Sequence, residues 1–132
     1  MANALYTSAK VLALTTGLNL ASGTVKVDLI DTGTYTFSAG HDFYNDVSGT
    51  VGSSATLGSK TTTNGVFDAA DSTFSAVSGN SVEAFLIWVD TGGASSTDPL
   101  IAFFDTSITG APVTPNGGDI VLQYNASGIF SF

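Results

Sequence analysis

Cysteine and arginine are both absent from this chain, and histidine and tryptophan each occur once. The missing cysteine removes disulfides, thiolate zinc sites and cysteine nucleophiles together. It does not assign a compartment, because a chain of 132 residues can build a core that needs no cross-links. The missing arginine leaves no guanidinium fork for a phosphate or a carboxylate. Lysine is scarce as well: Lys10, Lys26 and Lys60 are the only basic side chains, against eleven acids and a net charge of −8. Affinity for nucleic acid comes largely from Lys and Arg displacing counterions, so no nucleic-acid partner is expected. Anionic membrane surfaces are disfavoured on the same ground, and the acidity also serves solubility. Long apolar runs are lacking too. The longest, Ala84 to Val89, falls far short of the ~20 residues that span a bilayer. The N-terminus has no basic region ahead of an apolar stretch, so synthesis in the cytoplasm without a signal peptide is expected.

What the chain does contain is small, neutral and β-forming. Apolar residues make up 43% while charged ones make up only 11%, against roughly 25% charged in an ordinary soluble domain. Aromatic and β-branched residues are too plentiful for disorder. A surface rich in Ser, Thr and Gly suits contact with other proteins, since interface cores are depleted in charge.

The segment Asn3 to Thr16 reads as a helix, with Asn3 as its cap and Leu5, Ala9 and Leu12 on one face. Gly17 is placed to end it at positive φ. Such a helix either docks on its own core or forms an arm (residues 1–17) that packs on a neighbouring subunit. From residue 23 the period changes to two. Thr24 to Ile30 alternates, with Val25, Val27 and Leu29 on one side and Lys26 and Asp28 on the other. Tyr35 and Phe37 continue the alternation, and His41 to Val47 reads as a helical turn burying Phe43 and Val47. Gly49 to Lys60 is a weak strand suited to a sheet edge. Asn64-Gly65 is the best tight-turn signal, joining 61–63 to 66–69. Phe74 to Val77 follows as a short strand. Val82 to Asp90, apolar at nearly every position, calls for burial on both faces. It pairs with Leu100 to Phe104 at the centre of the fold. Ile120 to Tyr124 and Ile129 to Phe132 close the chain. About eight short strands with turns between them predict one all-β domain over 1–132: a β-sandwich, jelly-roll-like, with one short N-terminal helix.

Catalytic constellations are hard to assemble from these residues. His41 is the sole neutral-pH base and reads as the start of a turn, and no Gly-x-Ser-x-Gly elbow surrounds any serine. Carboxylate pairs that could serve a glycosidase are Asp42 with Asp46, Asp68 with Asp71, and Asp90 with Asp105. Each is as well explained by turn capping. Glu83 begins the buried strand and faces an edge, a subunit contact or the interior. The Asp90 to Asp98 loop is the best place for a calcium ion, but it lacks the spacing of an EF-hand. Trp88 reads as core. No catalytic residue, cofactor or metal ligand is therefore assigned, and the chain is not expected to be an enzyme.

Five stretches together resemble small virion proteins encoded among the head genes of tailed bacteriophages. They are Met1-Ala2-Asn3-Ala4-Leu5-Tyr6, Val25 to Thr32, His41-Asp42-Phe43, Pro99 to Thr106 and Pro112 to Ile120. The resemblance covers nearly the whole chain and carries no catalytic residues. It implies a capsid decoration, or cement, protein on the outer surface of the head, where it bridges neighbouring copies of the major capsid protein. A tail- or fibre-associated module, with host-surface binding, is the alternative, and a carbohydrate-active enzyme a distant third. The expected partners are the major capsid protein and the chain itself, as a dimer or trimer matching a lattice axis. The candidate interface residues are Leu5, Ala9 and Leu12 on the helix and Phe130 and Phe132 in the aromatic tail.

Overall fold

A computed structural model describes residues 3–15, 17–106 and 108–131. In chain order its elements are β1 (Ala4–Leu5), α1 (Thr7–Leu14), β2 (Thr24–Ile30), β3 (Thr50–Thr56), β4 (Val66–Phe67), β5 (Ser72–Phe74), β6 (Ala84–Asp90), β7 (Leu100–Phe104), β8 (Ile120–Leu122) and β9 (Phe130–Ser131). The apolar run from Ala84 to Trp88 is buried at every residue, because β6 lies inside a five-stranded sheet of order β1-β7-β6-β2-β3. All pairings are antiparallel. Two small sheets, β4-β9 and β5-β8, complete an all-β, sandwich-like arrangement with one short helix.

Alternation assigns the two faces of the central sheet. Cross-strand partners Val27 and Ile87, Leu29 and Phe85, and Phe85 and Phe104 share one face. The small sheets cover it: Phe85 stacks on Phe104 at 4.7 Å and meets Tyr124 edge-on at 5.7 Å. Phe104 also lies 6.5 Å from Phe130 of β9. The other face carries Trp88, Leu86 and Phe103. Here the cover is not a sheet but the chain between residues 35 and 44, together with α1 and its flank. Phe37 stacks on Phe103 at 5.3 Å, Tyr35 meets Phe103 edge-on at 5.9 Å, and Tyr44 stacks on Trp88 at 4.0 Å. Tyr6, just ahead of α1, closes this layer at 5.0 Å from Phe37.

Three local readings hold closely. β2 and β7 have the expected bounds, 24–30 and 100–104. Asn64 and Gly65 both adopt positive φ, 55° and 76°, as a two-residue hairpin turn of the tightest kind requires. Of the pairing expected between 61–63 and 66–69 only the single bridge at Thr61 and Asp68 forms, with backbone hydrogen bonds exchanged across the turn; Val66 and Phe67 pair instead with Ser131 and Phe130. The small-residue segment 50–56 is indeed an edge strand. Its register slips between Val27 and Leu29, where the four-position step from Val51 to Ala55 in β3 faces a two-position step in β2. A bulge of this kind twists an exposed edge away from further pairing.

Three readings need correction. Asn3 does not cap the helix. Its Oδ1 accepts from the backbone N–H of Asp105 at 2.8 Å and of Thr106 at 3.0 Å, and Nδ2 donates to the Thr106 carbonyl at 3.1 Å. The clamp draws Ala4 and Leu5 into β1 beside Phe103 and Ala102, so the helix starts only at Thr7. Val82 is not part of the long strand but pairs singly with Val113. The short strand expected at 74–77 lies at 72–74, because Val77 instead bonds the turn at Gly117 and Gly118.

Candidate functional surface

The N-terminal helix is held in place from both ends. At its start the Tyr6 N–H donates to the Ile101 carbonyl at 3.0 Å, continuing the β1–β7 ladder. At its end Gly17, at φ 86°, donates to the Leu12 carbonyl at 2.6 Å, a hydrogen bond that closes the last turn. Between these anchors one face turns inward: Tyr6 and Ala9 are fully buried. The opposite face is Thr7, Lys10, Val11 and Leu14, spaced i, i+3, i+4, i+7 and all exposed. Leu14 is 86% exposed and Val11 51%. Val121 apart, these are the exposed large apolar side chains among the described residues.

The helix also walls two depressions. One, of ≈ 580 Å³, separates it from the 39–43 and 97–99 loops and is lined by Val11, Leu12, Ala39, Phe43 and Pro99, with Asp42 also on its wall. The second, of ≈ 300 Å³, lies between the end of the helix and the 62–67 hairpin and is lined by Ala13, Leu18, Leu20 and Val66 among others. Ridge and grooves together form an apolar surface that carries few charges on an otherwise acidic chain. The helix itself carries Lys10 and no acid.

The five residues selected from the sequence are not brought together. Leu5 is half-buried in β1, and Ala9 has no surface to offer outside the subunit. Leu12 is half-buried but lines the larger groove. Phe130 pairs with Phe67 in its own small sheet, ring centroids 5.2 Å apart. Phe132 lies outside the described residues. Spacing alone located the helix but not the side that faces out. Leu5, Ala9 and Leu12 satisfied an apolar stripe, and so do Val11 and Leu14. Which stripe meets the sheet is decided by the docking of Tyr6 between Phe37 and β7.

The polar groups flagged from the sequence are engaged in structural bonds. His41 Nδ1 lies 2.8 Å from the Tyr35 hydroxyl, which lies 2.8 Å from that of Tyr6. This three-member chain, with Tyr6 and Tyr35 buried, had no signal in the sequence. Burial pushes both tyrosine hydroxyls above their ordinary range. Asp46 Oδ2 accepts from the Asp42 N–H at 3.0 Å, and that donor is the main reason its carboxyl is held low. Asp68 and Asp71 serve different partners, the N–H groups of Ala69 and Tyr124. Asp90 accepts from the Gly92 N–H at 2.8 Å and pairs with Lys26 at 3.0 Å. Both lower its carboxyl, the Gly92 donor more. In the same loop the buried Asp98 accepts from Thr91 N–H and hydroxyl at 3.0 and 2.7 Å. Glu83 Oε1 accepts from Thr32 N–H and hydroxyl at 3.0 and 3.1 Å. Trp88 is buried, as read. Among the described residues no three His, Asp or Glu side chains gather as a metal site, and no helix is long and apolar enough to cross a membrane.

No family model matches this chain, and no curated protein matches it.

Proposed function

We propose that this protein is a bacteriophage structural protein, a capsid decoration or cement protein that stabilises the head by bridging neighbouring major capsid proteins from outside. The observation that carries the reading is the exposed, nearly uncharged apolar face of α1 on a chain with eleven acids and no arginine. A solvated monomer gains nothing from a leucine 86% exposed on a helix that also walls two apolar grooves, and such surfaces mark sites of association, which for a lattice protein include the contact between its own copies. The acidic remainder suits an outer surface rather than one against packed DNA. The resemblance to head-gene virion proteins points the same way. Many copies on one lattice multiply a weak individual contact. The jelly-roll wiring of the strands is part of the same proposal.

The test is a reconstruction of the intact particle together with copy counting by quantitative mass spectrometry. The proposal expects the chain on the outer head lattice in hundreds of copies. A handful of copies at the tail would replace it with the tail-module reading. Attachment through apolar contacts should also survive high salt, which screens exposed charge pairs.

A further inference from the structure

We propose that the α1 face is a self-docking surface: two copies of this chain pair about a two-fold axis, the Val11–Leu14 ridge of each seated in the groove beside α1 of the other. It specifies a surface for self-association but does not depend on the capsid reading, and its test needs no particle. The first argument is shape. The ridge and the ≈ 580 Å³ groove lie side by side on one element, with Val11 common to both. A two-fold contact needs a surface that carries both its own projection and its own recess.

The second argument is charge, and it selects the occupant. Two chains of net charge −8 repel each other, so a second copy can approach only where acids are few. The helix has none, and it presents Lys10. The other two lysines are engaged: Lys26 with Asp90 and Lys60 with the Gly23 carbonyl. Lys10 is exposed, with no ion-pair partner among the described residues. Across the groove stands the exposed carboxylate of Asp42. In the two-fold arrangement Lys10 of each copy meets Asp42 of the other, so the pairing that is unmade within one chain is made twice between two.

The absence of cysteine makes the test clean. Val11, shared by ridge and groove, is the position nearest the two-fold axis, so a Val11→Cys variant has one thiol that oxidation should trap as a covalent dimer, whereas a cysteine at exposed Ser53 on the β3 edge should not. In sedimentation of the wild-type chain over a concentration series, a monomer–dimer equilibrium is expected. Leu14→Glu should abolish it and leave the melting temperature unchanged at concentrations where the wild-type chain is monomeric, because in the single chain that side chain is in solvent. Lys10→Glu should weaken it roughly tenfold, and adding Asp42→Lys to that variant should restore it. A wild-type chain that stays monomeric, or an oligomer indifferent to Leu14→Glu, overturns the inference. So does a monomer that loses only particle attachment on Leu14→Glu, because the face would then belong to another protein. A dimer that never enters particles would leave this inference standing and sink the capsid proposal.

Discussion

Truncating Phe103 to alanine tests the layer that covers the central sheet on the helix side. Phe103 is 1% exposed, at the centre of β7, with Leu86 of β6 on one flank and Ala4 of β1 on the other. Its ring is stacked on Phe37 at 5.3 Å, interplanar angle 8°, and lies edge-on to Tyr35 at 5.9 Å. Removing a buried phenylalanine costs about 3–5 kcal/mol through lost transfer energy and the cavity left behind. Each aromatic pairing adds about 0.5–1.5 kcal/mol. The upper half of the first range, about 4–5 kcal/mol, is therefore expected, because two aromatic partners lose their neighbour at once. For a domain of this size, 1 kcal/mol corresponds to about 3–4 °C in melting temperature, so the transition should fall by roughly 12–20 °C. That is a large part of the 5–15 kcal/mol that typically holds a domain folded. Phe103→Leu keeps most of the volume and should cost markedly less. Thermal denaturation followed by near-ultraviolet circular dichroism reads both variants. A melting temperature unchanged by Phe103→Ala would refute the placement of β7 in the core, and equal losses for Leu and Ala would refute the stacked arrangement.

Other expectations follow from single contacts. Tyr35→Phe removes the middle of the Tyr6–Tyr35–His41 chain and leaves the fully buried Tyr6 hydroxyl without that partner, at a cost of about 1–3 kcal/mol in chemical denaturation. A loss no greater than that of an exposed Tyr→Phe change would show the chain to be idle. Asp31 accepts from the Gly33 N–H, the Thr34 hydroxyl and the Asn80 amide, and the Gly33 donor chiefly holds its carboxyl below the usual range. A carboxyl lowered on folding contributes stability that is present above its unfolded pKa, about 3.9, and is lost as pH falls through the folded value. Asp31→Asn should therefore lower stability at neutral pH and flatten its decline below about pH 4; an unchanged acid limb of the stability curve would contradict this. Asn3→Ala should release β1, raising amide exchange at Leu5 and Tyr6 with only about 1–2 kcal/mol lost globally; full protection of those amides would disprove the clamp.

Local pattern in this sequence reached as far as local forces reach. The bounds of β2 and β7, the edge position of 50–56 and the Asn64-Gly65 turn were legible because alternation, small-residue composition and left-handed backbone tolerance act within a few residues. Burial of β6 on both faces was legible for a similar reason: a run with no polar side has no face to give to water. The absence of arginine and cysteine likewise bounded the chemistry before any fold was known. Tertiary structure alone decided the rest. Asn3, a good helix cap by type, is bound to residues more than a hundred positions away, and sequence spacing does not reveal a partner at that distance. The Tyr6–Tyr35–His41 chain joins three residues from the two sides of α1 for the same reason. The outward face of α1 was decided in the same way. Both of its stripes are apolar, so its period was readable, but its rotation depended on where Tyr6 and Ala9 could be buried, and that pocket exists only once Phe37 and β7 have met.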